Sequence, residues 1–70
     1  MQYVTTSVRI TNNVNIRGPI QVFYHCVTYL IGFPNKVVFT SGVNTRRDDA
    51  VQEVLQFLSN HPQYINNWIN

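Results

Sequence analysis

Residues 19–31 read Pro-Ile-Gln-Val-Phe-Tyr-His-Cys-Val-Thr-Tyr-Leu-Ile, and whether this run is helix or strand decides the fold. Its composition favours a strand, because Val, Ile, Thr and aromatic residues fit a pleated surface. Its punctuation favours a helix. Pro19 suits a first helical position, where no N–H is needed. Gly32 suits the left-handed residue just past a helix end, with apolar Phe33 and then Pro34 behind it. Gln21, His25 and Thr28 fall at i, i+4 and i+7, a single polar stripe, whereas a strand of this length would be apolar on both faces. The punctuation carries the reading to a helix over 19–31. The alternative is a central strand, with Pro34-Asn35 as a hairpin turn.

Upstream, Val4, Thr6, Val8 and Ile10 alternate with Tyr3, Thr5, Ser7 and Arg9, a strand pattern. Asn12-Asn13 follows, and Asn tolerates the positive φ of tight turns. Val14-Asn15-Ile16 alternates again, so a β-hairpin is expected over about residues 3–17. Downstream, Lys36–Thr40 reads as a short strand, broken by Ser41-Gly42-Val43-Asn44. Thr45, with Asp48 three residues on, resembles a capping box and opens a helix over 46–59. Val51, Val54, Leu55 and Leu58 form its apolar stripe, widened by Ala50 and Phe57. Asn60 and Pro62 end it. Residues 62–69 place Tyr64, Ile65, Trp68 and Ile69 on one helical face, which predicts a short C-terminal helix docked on this domain or on a partner.

The expected fold class is therefore α+β, one compact domain over residues 1–70. It comprises an N-terminal hairpin, a helix or central strand at 19–31, a strand at 36–40, a helix at 46–59 and a short helix at 62–69. Apolar residues make up 44% of the 70 residues, enough for a core and against disorder. A core of this size is marginal without staples. Cys26 is alone and forms no internal disulfide, and one Cys with two His is too few for a structural zinc site. Self-association is the remaining way to add buried area, so a homo-oligomer is expected. No basic leader follows Met1, and the apolar run Ile20–Ile31 is too short to span a bilayer. A soluble, cytoplasmic protein is expected.

Charge is scarce: 11% of the chain is Asp, Glu, Lys or Arg, about half the usual share. All the acids, Asp48, Asp49 and Glu53, sit together beside Arg46 and Arg47, and residues 54–70 carry no charged side chain. The polar surface is built instead from Asn, Gln, Thr and Ser. Such a surface has little self-repulsion to keep it monomeric.

Arg46 and Arg47 lie in an opening helical turn, where the dipole disfavours cations. A local rule broken this way points to function. They are candidates for an acidic partner surface, while pairing with Asp49 is the plainer explanation. Ser41, Gly42, Asn44 and Thr45 lead from a strand into a helix start and are candidates for an anionic ligand. No GxxxxGK[ST] or GxGxxG accompanies them. Tyr64 and Trp68 are the further partner-binding candidates, because aromatic residues in charge-free segments dominate interface centres. Their plainer role is to close the core. Asp48, Asp49 and Glu53 read as helix-stabilising acids, not as a metal site.

His25 and Cys26 are neighbours whose side chains point apart, and no nucleophile, base and orienting group assemble, so no catalytic residues, metal or cofactor are expected. Tyr3, Tyr24 and Tyr29 with Arg9 and Arg17 suggest a stacking surface for single-stranded nucleic acid, with Lys36, Arg46 and Arg47 as further cations. No RNP-like or KH-like segment supports it. The expected function is a non-catalytic protein-binding module that self-associates, an accessory or inhibitory protein of the kind viruses and mobile elements direct at a host protein. A nucleic-acid-binding regulator and a small anionic-ligand binder are the alternatives.

Overall fold

The computed structural model describes residues 1–13 and 21–69. Among these described residues five elements follow one another: β1 (Gln2–Asn13), β2 (Gln21–Leu30), β3 (Phe33–Thr40), α1 (Arg47–Ser59) and β4 (Tyr64–Ile69). The strands form one four-stranded mixed sheet in the order β3-β2-β1-β4. The β1–β2 and β2–β3 ladders are antiparallel, and β4 runs parallel to β1. β3 and β4 therefore point the same way, and α1 is the crossover that carries the chain from one edge of the sheet to the other.

Within the 19–31 run, residues 21–30 are the inner strand β2. The helix expected there is corrected, and β propensity prevails over punctuation. As a middle strand, β2 hydrogen-bonds on both sides and can be apolar on both faces, which removes the objection to a long apolar strand. Gly32 does occupy a left-handed conformation, with φ +83. It serves the Ile31-Gly32 turn between β2 and β3, not a helix end, and Pro34-Asn35 lies inside β3 instead of forming the turn. The expected hairpin over 3–17 is corrected in its pairing. β1 runs through Asn12 and Asn13, and its partner is β2, with Val4 opposite Leu30 and Asn13 opposite Gln21. The Val14–Arg17 half of that expectation lies outside the described residues.

The C-terminal helix is also corrected. Residues 64–69 are strand β4, with Gln2 opposite Tyr64 and Ser7 opposite Ile69. A single short helix has little to hold it, whereas Tyr, Ile, Trp and Ile in a strand gain a full backbone ladder from β1. The grouping of Tyr64, Ile65, Trp68 and Ile69 on one face is undone accordingly. Alternation sends Tyr64 and Trp68 to one side of the sheet, Ile65 and Ile69 to the other.

Helix α1 forms where expected, but its start differs. Arg46 is the N-cap in extended conformation, without a side-chain cap, so Thr45 and Asp48 make no capping box. Its carbonyl instead accepts the N–H groups of Asp49 and Ala50. Ala50 and Val54 are buried against Cys26, with Val8, Tyr24, Phe39, Val51 and Leu58 around them. Ala50 has no side chain beyond Cβ, which lets the helix approach β2 closely. Leu55, expected in the apolar stripe, points to solvent.

The core is small and partly polar. Among the described residues its largest fully enclosed side chains are Val4, Cys26 and Val54 with Thr6 and Thr28. The two threonine hydroxyls meet at 2.7 Å, and the Thr6 hydroxyl donates to Asn66 Oδ1 at 2.7 Å. A hydrogen-bonded row thus crosses β2, β1 and β4 beneath the helix side of the sheet. At the helix C-terminus, Phe57 stacks between Phe39 at 4.5 Å and His61 at 4.2 Å, with Tyr64 at 5.9 Å. These rings fasten α1 to β3 and to the start of β4.

Candidate functional site

Helix α1 lies over one face of the sheet only. On β2 that face is Tyr24, Cys26 and Thr28. By alternation the other face presents Phe23, His25, Val27 and Tyr29 on β2. The same face carries Tyr3, Thr5, Ser7 and Arg9 on β1, Val37 on β3, and Ile65, Asn67 and Ile69 on β4. Among the described residues no element covers it. Tyr3 is 58% exposed, Val37 51% and Ile69 49%. Thr5, at the middle, is buried among its neighbours at 5% exposure. His25 Nδ1 is shielded from solvent and has no hydrogen-bond partner among the described residues. Among the described residues the face holds one permanent charge, Arg9, and no acid.

Its composition follows from the alternation legible in 3–11 together with the strand assignment of 21–30. Tyr3 and Tyr29 share the face, as the stacking surface required. Tyr24 does not, because it packs against the helix. Arg17 lies outside the described residues. Beside the β2–β3 turn lies a cleft of about 290 Å³, lined by Tyr3 and Ile31 together with Gln2, Leu30 and Phe33. Lys36 Nζ sits 5.9 Å from the centre of the Phe33 ring, a cation over an aromatic face. Sequence reasoning missed Phe23, Val27, Val37 and this cleft, because only the pairing of β2 with β1 and β3 brings them together.

The Ser41–Thr45 loop is braced by Glu53 from helix α1. The Glu53 carboxylate accepts the Gly42 N–H at 3.1 Å and Asn44 Nδ2 at 2.6 Å. These hydrogen bonds, Asn44 first and Gly42 second, hold the Glu53 carboxyl below the usual carboxylate pKa. The Ser41 hydroxyl accepts the Cys26 N–H at 2.7 Å and donates to the Gly42 carbonyl at 3.0 Å. Asn44 forms a two-way backbone bridge with Tyr24. Of the loop's donors, the Gly42 N–H and the Asn44 side-chain amide are thus engaged by the chain's own Glu53, while the Ser41 and Asn44 main-chain N–H groups donate to the Cys26 and Tyr24 carbonyls. Thr45 is exposed at the loop's end.

Arg46 and Arg47 are exposed at the start of α1, on the far side of the sheet from the open face. Burial pushes the Cys26 thiol pKa up; Arg47 opposes this and Glu53 adds to it. A fully enclosed thiol with a raised pKa is a packing group, not a nucleophile. Among the described residues no three of His, Cys, Asp and Glu converge to hold a metal ion. No helix of the described residues is long and apolar enough to cross a membrane.

A second cleft, about 270 Å³, lies where Phe39, Glu53, Gln56, Phe57, Asn60 and His61 meet. His61 is held there by its Nδ1, 2.8 Å from the Phe57 carbonyl. Of the aromatic candidates, Tyr64 lines the ring stack and Trp68 stays 42% exposed on the helix side. Compared with known proteins, the chain matches no family model, no curated protein and no solved structure.

Proposed function

We propose that this chain is a non-catalytic protein-binding module that also self-associates, and that the open face of its sheet is its main recognition surface. The observation that carries the reading is the placement of Tyr3, Phe23, Val27, Tyr29, Ile65 and Ile69 on the side of the sheet away from α1. Strands about 4.8 Å apart and roughly 25 Å long make a four-stranded face of about 500 Å². With its rim this approaches the ~800 Å² that each partner buries in a specific complex. The occupant this face fits is a different protein with an apolar centre and an acidic group opposite Arg9, since a desolvated Arg9 needs a carboxylate or carbonyl partner. Aromatic residues over aliphatic ones, with little charge, is the composition of interface centres. An accessory or inhibitory role that works by covering another protein's surface follows from such a face without any catalytic group.

One arrangement favours a second reading. Tyr3, Phe23, His25, Tyr29 and Arg9 share the face, and rings on an exposed sheet are platforms for unpaired bases. With Arg9 as its one permanent charge among the described residues, the face neutralises few phosphates, so such binding is weak and salt-sensitive.

The test replaces Tyr29 and Phe23 with Ser together. A partner recovered by mass spectrometry from the native cell is remade in purified form and titrated against both chains. Retained circular dichroism with at least tenfold weaker binding by the variant supports the open face. Equal binding removes the face from recognition. Nanomolar binding of an unstructured oligonucleotide at physiological salt, lost in the same variant, reverses the order of the two readings.

A further inference from the structure

The two outer edges of the sheet are not alike. β3 contains Pro34, which has no N–H to offer, and Lys36, and its ladder to β2 shifts register between Thr28 and Tyr29 and again between Tyr29 and Leu30. Proline, lysine and bulges are the devices that keep a foreign strand off an edge. β4 has none of them. Its sequence is Tyr-Ile-Asn-Asn-Trp-Ile, its register to β1 is unbroken, and no described strand pairs with its outer side.

One hydrogen bond fixes which groups of β4 face outward. The Gln2 N–H donates to the Gln63 carbonyl at 2.8 Å, and Gln2 stands opposite Tyr64. In a parallel ladder this phase turns the main-chain groups of Ile65, Asn67 and Ile69 toward β1, and those of Tyr64, Asn66 and Trp68 away from it. The Tyr64 N–H is already used, donating to the His61 carbonyl at 3.1 Å. Asn66 and Trp68 are left with complete outward donor and acceptor pairs.

We propose that β4 pairs antiparallel with β4 of a second copy of this chain, about a two-fold axis through Asn67. This rests on the reading of the chain as self-associating and says where and how it does so. Symmetry narrows the register. Two identical edges can pair antiparallel only about an axis perpendicular to the sheet, so residues opposite one another share a face. Near the centre of β4 that leaves Asn66 or Asn67 on the axis. With Asn66 there, Trp68 would need the Tyr64 N–H, which is taken. With Asn67 there, Asn66 of each copy exchanges both its bonds with Trp68 of the other. On the open face, Ile65 then meets Ile69 of the second copy, and Asn67 meets Asn67. No charge enters the seam, since residues 54–70 carry none. Both helices lie on the same side, and the two open faces join into one.

Asn67→Cys tests the geometry directly. Asn67 is exposed, and in the dimer it faces its own copy across the axis as a non-hydrogen-bonded pair with Cα atoms about 4.5 Å apart. A disulfide bridges roughly 4.4–6.8 Å, so mild oxidation should give a covalent dimer, and fully buried Cys26 should not interfere. In the unmodified chain, at a concentration where sedimentation shows a dimer, the amides of Asn66 and Trp68 should exchange slowly and become fast on dilution. Asn67→Lys sets like charges opposite each other and should weaken the dimer several-fold with the fold retained. A dimer whose Asn66 and Trp68 amides exchange freely, with no cross-link formed by the Asn67→Cys variant, overturns the edge pairing and leaves self-association to another surface. Protection of those amides only when a different protein is added also overturns it. A monomer at every concentration removes self-association itself.

Discussion

Glu53 shows how far a single residue can be from its apparent role. In the sequence it completes an acidic cluster at a helix start. In the fold, the turn of α1 on which it lies faces the Ser41–Asn44 loop, and its carboxylate takes the Gly42 N–H and the Asn44 amide. Nothing local predicts this, because the loop's approach is set by the Tyr24–Asn44 bridge to the central strand. The alternation of 3–11, by contrast, was legible, since period-two patterning survives any choice of partner strand. Glu53→Gln puts an amide donor where two donors converge. The expected cost is about 1 kcal/mol in denaturant unfolding, the scale of a charge-assisted bond near solvent. The pH effect has a definite sign. Glu53's folded pKa is depressed, so its contribution is present above the unfolded value, roughly 4.3, and fades as pH falls through that value to the lower folded one. The unmodified chain should therefore lose stability below about pH 4.3 more steeply than Glu53→Gln. Parallel acid profiles would show the carboxylate to be solvated and unimportant.

Both misread segments became strands, and for one physical reason. The signals that suggested helices at 19–31 and 62–69 are local, whereas what stabilises β2 and β4 is pairing with distant parts of the chain. Tyr64–Ile69 finds its ladder at Gln2–Ser7, a contact no periodicity reports. Helix α1 was legible because its stabilising pattern is contained within itself. The corrected element changes what deletion of residues 62–70 should do. The deletion removes the Gln63 acceptor for Gln2, the Asn66 partner of Thr6 and the Tyr64 ring beside Phe57. It also bares the outer edge of β1, a long strand with exposed Ile10. The truncated chain should lose most of its cooperative unfolding and scatter light at micromolar concentration, as an unguarded edge does. A soluble truncation with a native-like spectrum would show that β4 is an appendage and that three strands with α1 suffice.

At the scale of the molecule, small side chains fill the core of the described residues while several large ones stay exposed. Among the described residues the fully enclosed apolar side chains are Val4, Cys26, Ala50 and Val54, while Tyr3, Phe33, Trp68 and Ile69 are each more than 40% exposed. Burying a large apolar side chain is worth roughly 1.5–3 kcal/mol. Part of the hydrophobic stabilisation available to Tyr3, Phe33, Trp68 and Ile69 is therefore unrealised in a single copy, and the proposed association would supply some of it. A dimer seam at β4 buries part of Trp68, Ile65 and Ile69 and supplies the missing backbone partners. Mass action then ties stability to concentration: about 2.7 kcal/mol is added when the partner is at 100 times its dissociation constant. For a domain near this size each kcal/mol moves the midpoint by roughly 4–8 °C. The melting temperature should accordingly rise by several degrees from low to high micromolar chain, and the rise should shrink in Asn67→Lys. A midpoint independent of concentration in the unmodified chain would mean that one copy is complete, with its exposed rings reserved for a different protein.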